Sequence, residues 1–250
     1  MNCIEYGNKF ILDDCVDLWE KIFCDERNYI KKFYSSFNTD GSVFTAYDGG
    51  ALCGMVNRVP VKHGDYRGGY IYAACTREEY RGRGIFKNLM KLSEAGMDFM
   101  ALIPASDELY GVYRKLGYDK TARSVFPFSI DAVILKTELF KPFDGCFDNL
   151  YKIYLDCVPN NEFIKTKEIF FLALTGFNVL YTFDGRGFAV YANFDKYTIK
   201  IYEMYCKNAV IYDIICFNNK KEHESGVYKI LRQPGSELFS EMKLNLFMEY

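Results

Sequence analysis

Histidine is almost missing from this chain. His63 and His223 are the only two, they lie far apart, and no paired ligands flank either. The nine cysteines, at 3, 15, 24, 53, 75, 146, 157, 206 and 216, form no C-x-x-C pair. No metal site is therefore expected. The odd number, with Cys75 and Cys216 inside apolar runs, points to reduced, mostly buried thiols in a cytoplasmic protein. Neither sign of charge is in excess. The formal net charge is -2, so no overall field draws the chain to nucleic acid or to anionic lipid, and neither is expected as a partner. No run approaches the roughly 20 apolar residues of a membrane helix. Asn2, Glu5 and Lys9 interrupt the first residues, so no secretory pattern stands there. Two nucleotide signatures are missing as well. Gly82 and Gly84 are followed by Lys87 where a G-x-G-x-x-G motif needs its third glycine, and G-x-x-x-x-G-K-[ST] occurs nowhere.

What the chain has is apolar and aromatic substance. Hydrophobic residues make up 50% of it, with 21 Tyr and 22 Phe, enough to build a globular core. Helical spacing of Leu12, Cys15, Val16, Trp19, Ile22 and Phe23, and of Ile30, Phe33, Tyr34 and Phe37, predicts helices over residues 10–23 and 26–37. Val43–Tyr47 and Ala51–Val59 flank Asp48-Gly49-Gly50 as a hairpin. Gly68-Gly69 opens the nearly apolar run Tyr70–Thr76, a strand covered on both faces. A helix follows Gly84, and a short strand Phe99–Ile103 stops at Pro104. Ser106 or Asp107 caps a helix that Gly117 ends, and residues 121–130 look extended.

Pro127 and Lys141–Gly145 mark a boundary, which divides the chain into domains over residues 1–130 and 145–250. In the second, helices are expected from Phe147 and over 167–175, and strands at Val179–Phe183, Phe188–Asn193 and Lys196–Cys206. An internal repeat emerges. VFTAYDGG at 43–50 resembles VLYTFDGR at 179–186, Asp48 matches Asp184, and both extended runs end near a cysteine, Cys75 or Cys206. The second copy has Lys-Asn-Ala-Val where the first has its Arg/Gly segment.

That segment, Arg77-Glu-Glu-Tyr-Arg-Gly-Arg-Gly84, joins a buried strand to a helix start. The first amides of a helix lack intrahelical partners and sit at its positive end, which suits a pyrophosphate. Gly82 and Gly84 leave room for phosphate oxygens, and Arg81 and Arg83 add charged donors. A lone Gly-x-Gly before a helix is weak, since many tight turns have one. The whole assembly is more specific. Tyr70–Met90, with Leu102–Tyr118, resembles the GNAT superfamily of N-acetyltransferases: Arg81 and Gly84 match its acyl-CoA motif, and Tyr113-Arg-Lys-Leu-Gly-Tyr118 matches its helix end. Phe86 departs from the small residue usual at the end of that motif, and Ser106 stands where many members carry Asn.

The resemblance implies an α/β (α+β) fold, a mixed and mostly antiparallel sheet flanked by helices and split between its fourth and fifth strands, followed by a smaller, degenerate GNAT-like half. It implies acetyl-CoA as co-substrate. The pantetheine arm would pair with Ala74, Cys75 and Thr76, and the pyrophosphate would meet Arg81, Gly82, Arg83, Gly84, Ile85 and Phe86, with Ser106 near coenzyme A. It implies direct attack by the amine of a small molecule or peptide in a ternary complex. The backbone N–H near Cys75 would serve the oxyanion, and Tyr113 would give a proton to the departing thiolate. The Cys75 side chain reads as core or cofactor-lining, because apolar surroundings raise a thiol pKa.

An aliphatic amine, of pKa about 10, must first lose a proton. The base stays open among His63, Asp65, Glu78, Glu79, a water chain and, as in some tandem members, the carboxylate of Tyr250. The competing reading is a coenzyme A-binding sensor or scaffold without turnover. Nucleic-acid binding through Arg77, Arg81, Arg83 and Lys87 is poor, because Glu78 and Glu79 offset those charges. An exposed sheet edge would allow a homodimer.

Overall fold

A computed structural model describes residues 4–36, 39–124, 126, 128–131, 137–159, 164–193, 197–216 and 223–231. In chain order the first elements are β1 (Glu5–Gly7), α1 (Leu12–Phe23), α2 (Arg27–Ser35), β2 (Val43–Asp48), β3 (Ala51–His63), β4 (Tyr66–Thr76), a 3-10 turn (Glu78–Tyr80), α3 (Ile85–Ser93), β5 (Phe99–Leu102), α4 (Asp107–Lys115) and β6 (Lys120–Ser124). There follow β7 (Phe128–Asp131), β8 (Phe140–Pro142), α5 (Phe147–Cys157), β9 (Ile164–Lys165), α6 (Lys167–Ala173), β10 (Asn178–Thr182), β11 (Gly187–Asn193), β12 (Thr198–Cys206), α7 (Ala209–Cys216) and β13 (His223–Ile230).

The chain divides into two compact units, Met1–Lys120 with Gly226–Ser236, and Thr121–Ser225 with Glu237–Tyr250. Strand β8 runs through the first residues of the Lys141–Gly145 stretch and pairs with β10. Pro127 and Tyr250 lie outside the described residues.

In the first unit the strands follow the order β1-β2-β3-β4-β5-β13. Every pair is antiparallel except β4–β5. Strand β13, 121 residues or more beyond β5 (223 − 102), pairs its Val227 with Leu102 and so completes a sheet begun in the first half. The sheet has two covered faces. Gly54, Val56 and Ile71 alternate onto the face where Ile85 and Leu89 of α3 and Tyr113 of α4 pack. Met55 and Tyr72 lie on the other face, against Tyr34 of α2 and Trp19 of α1. Helix α1 forms because Cys15, Val16, Leu18 and Trp19 share one buried stripe, and Asp13 and Asp14 favour its positive end. Gly68 does not open the strand, as the sequence suggested, but lies inside β4. A Cβ there would stand 2.1 Å from the Phe99 ring, so only glycine lets β5 lie so close.

The second unit holds an antiparallel sheet in the order β7-β12-β11-β10-β8. Helices α5 and α6 cover one face through Leu150, Tyr154 and Phe170, and α7 covers the other through Ile211 and Ile215.

Candidate active site

The site of interest begins where β4 parts from β5. The two strands pair in parallel only at Gly68–Tyr70, after which β5 ends at Leu102. From Ile71 onward the edge of β4 on that side has no partner from β5. The same stretch carries a bulge. Met55 faces Cys75 and Asn57 faces Tyr72, so Ala73 and Ala74 together oppose Val56. Ala73 has φ 45°, a left-handed conformation that a non-glycine residue adopts only under local constraint. Bulge and split coincide along this strand edge.

Arg77 anchors the segment that follows. Its N–H donates to the Cys53 carbonyl at 2.9 Å and its Nε to the Leu52 carbonyl at 2.5 Å. Gly82 and Gly84 both have φ 77°, and a Cβ on either would meet no atom within 4 Å. Conformation, rather than crowding within the protein, is what requires glycine there, and the space beside both is open. Gly84 is the N-cap of α3. No side chain caps that helix, and its first turn has no acidic residue. The amides of Ile85, Phe86 and Lys87 therefore face outward at the positive end. Arg81 is exposed. Arg83 folds back, donating to the Glu79 carbonyl at 3.1 Å and lying 4.9 Å over the Tyr80 ring.

Tyr113 projects from α4 into the cluster that also holds Ile85, Phe86 and Ala74. Burial pushes its phenol up to about 12, so it keeps its proton throughout the neutral range. Its ring contacts both Phe86, at 6.0 Å, and Tyr118, at 5.9 Å. The Cys75 side chain points the other way, toward Cys15 and Tyr34, and burial raises its thiol to about 12. Such a thiol is core rather than nucleophile. The Thr76 hydroxyl oxygen is buried on the α3 face without a hydrogen-bond partner. Ser106 is the N-cap residue of α4, exposed, with no side-chain cap bond.

Ala74, Thr76, Ile85, Phe86 and Tyr113 converge around β4 and the start of α3, with Arg81 to Gly84 leading into it, whereas the Cys75 side chain faces away and Ser106 is exposed at the start of α4. Among the base candidates His63 lies in the core. It ends β3 fully buried, its ring edge-on to Phe99 at 6.4 Å, rather than standing in a strand-connecting loop where it could face the cleft or water. Asp65, Glu78 and Glu79 are exposed. Sequence reasoning missed the anchoring by Arg77 and the part of Lys229. The Lys229 ammonium donates to Glu94 at 2.9 Å and to the Leu116 carbonyl at 3.0 Å, tying the ends of α3 and α4 to β13. No local pattern signals contacts between residues 113 and 135 positions apart.

Residues 4–121 match the sequence model of the acetyltransferase (GNAT) domain. No curated protein matches the chain. Solved structures share its fold. A GCN5-related N-acetyltransferase from Kribbella flavida aligns with TM-score 0.67 at 15% identity, over 92% of this chain and 71% of that one. A probable N-acyltransferase from Enterococcus faecalis V583 aligns with TM-score 0.66 at 16% identity, over 96% and 74%. A putative acetyltransferase from Pyrococcus horikoshii aligns with TM-score 0.57 at 14% identity, over 98% and 95%.

Proposed function

With a GNAT acetyltransferase domain at residues 4–121 as the premise, we propose that the protein transfers the acetyl group of acetyl-CoA directly to an amine. Acyl transfer as such is what the family match supports. The finer reading rests on one observation: the uncapped start of α3 adjoins the strand edge of β4 that β5 leaves unpaired. A ligand with an anionic diphosphate and an amide-bearing arm suits both at once.

In this reading the amides of Ile85, Phe86 and Lys87, with Arg81, hold the pyrophosphate. Ala74, Cys75 and Thr76 pair with the pantetheine amides, and the Thr76 hydroxyl supports that edge. The amine attacks the thioester carbon, and the oxyanion that forms takes a hydrogen bond from the bulged backbone near Cys75. One such donor is worth about 3 kcal/mol in the transition state. The carbon–sulfur bond then breaks. Tyr113 donates a hydrogen bond to the sulfur as charge gathers there. With its pKa raised to about 12 it is a weaker acid than a free thiol, of pKa about 8.5. The proton that finally reaches the thiolate therefore comes from the acceptor nitrogen, relayed through the phenol. The second unit is a degenerate copy of the same layout, without the uncapped helix start.

Calorimetry with acetyl-CoA, then thiol release with a panel of amines, tests this. Saturable binding and amine-dependent release are expected. No binding at millimolar acetyl-CoA would sink the reading. Binding with no transfer to any amine would move it to a coenzyme A-binding module.

A further inference from the structure

The ring pair at the junction of α3 and α4 carries more than packing. Phe86 sits in the first turn of α3 and its own amide is one of the outward-facing donors. Its ring, half-buried, meets the Tyr113 ring at 6.0 Å and 61°, an edge contact. Tyr113 also meets Tyr118, at 5.9 Å and 69°. These two walls differ. Tyr118 is fully buried, and its N–H donates to the Tyr113 carbonyl at 3.1 Å, so it belongs to the fixed end of α4. Phe86 belongs to the turn that a bound phosphate would touch.

We propose that Phe86 is a positioning residue: it holds the Tyr113 ring against Tyr118 and so couples occupation of the α3 helix start to hydrogen-bond donation by Tyr113. The inference rests on the acetyl-transfer reading above. It makes Phe86 act through Tyr113 and not on the substrate itself. Loss of the ring should then leave cofactor affinity intact and lower turnover.

The test compares Phe86→Ala, Phe86→Leu and Phe86→Tyr, each alone and with Tyr113→Phe, in the full chain. Phe86→Ala and Phe86→Leu should lower kcat about fivefold, the rate equivalent of one edge contact. The KM for acetyl-CoA should stay the same or fall. Phe86→Tyr, which keeps the ring, should retain kcat. In the Tyr113→Phe background, Phe86→Ala should bring no further loss, since there is no phenol left to aim. Equal losses in both backgrounds, a rise in KM alone, or unchanged kcat in Phe86→Leu would each overturn the proposal. Should Phe86→Ala fail to fold, the Leu and Tyr variants decide by the same criteria. Wild type that binds no acetyl-CoA would instead condemn the reading beneath it. Full turnover by Tyr113→Phe alone would remove both the role of Tyr113 and the coupling.

Discussion

Helices α3 and α7 each follow a strand that ends near a cysteine, yet their first amides have opposite fates. Gly84 starts α3 and offers no side chain, so the amides stay open. Asn208 precedes α7 and closes it: its Oδ1 accepts from the N–H of Val210 at 3.1 Å and of Ile211 at 3.3 Å. The Asn208 amide in turn donates to Asp184 at 3.4 Å, within a turn whose sequence resembles the one around Asp48. The strands before the two helices both carry bulges, at Ala73–Ala74 in β4 and at Tyr202 in β12. Beside the second bulge lies a buried ion pair, Lys165 to Glu203 at 3.0 Å, with the Tyr154 ring 5.5 Å from the ammonium. Whether the first amides of a helix stay open thus depends on a single position. A cap stabilises the helix, and a missing cap leaves its amides without a partner from the cap side chain.

The largest effect should come from breaking that buried pair. Lys165→Met leaves the Glu203 carboxylate buried without its cation and should lower stability by about 3–5 kcal/mol in urea denaturation. Replacing both, with Lys165→Met and Glu203→Leu, should recover most of the loss. Next, Gly84→Asn gives α3 the residue that closes α7. Asparagine tolerates a positive φ better than most, so the fold should survive. Acetyl-CoA affinity measured by calorimetry should fall about 10- to 100-fold, the worth of one or two hydrogen bonds to a charged group. An unchanged affinity would erase the contrast between the two helix starts. Tyr113→Phe should lower kcat at least about tenfold with little change in KM, checked by thiol release. In the other unit, Asn208→Ala removes the cap and should cost about 1 kcal/mol while leaving acetyl-CoA affinity alone.

The smallest effect near neutral pH concerns the thiols of the first unit. Burial raises both Cys15 and Cys75 from 9.0 to about 12. The folded state keeps protons that the unfolded chain releases above pH about 9, so their stabilisation is complete below that pH and fades toward pH about 12. Melting temperatures should fall across this window, and Cys15→Ala with Cys75→Ala should flatten the fall.

Much of this was legible in the residues. The apolar spacing that predicted helices at 10–23 and 26–37 corresponds to α1 (Leu12–Phe23) and α2 (Arg27–Ser35). The Asp48-Gly-Gly turn joins β2 to β3. The open start of α3 was readable because strand, glycines and helix are contiguous. The elements that gave no usable signal include β1, β8 and β9, of two or three residues each, and also α7 and β13. The pattern of α7, AVIYDIIC, is apolar nearly all round, so it shows no stripe.

By itself the chain determined what neighbouring residues decide: the helical stripes, the hairpin turns, and the two glycines whose positive φ leaves amides exposed at residue 84. These depend on steric and hydrogen-bonding preferences within a few positions. Only the tertiary structure decided that β13 would lie beside β5, that Lys165 would meet Glu203, and that Phe86 would press on Tyr113. Partners so far apart in sequence are selected by the shape and burial of the folded core, and no local preference encodes that choice.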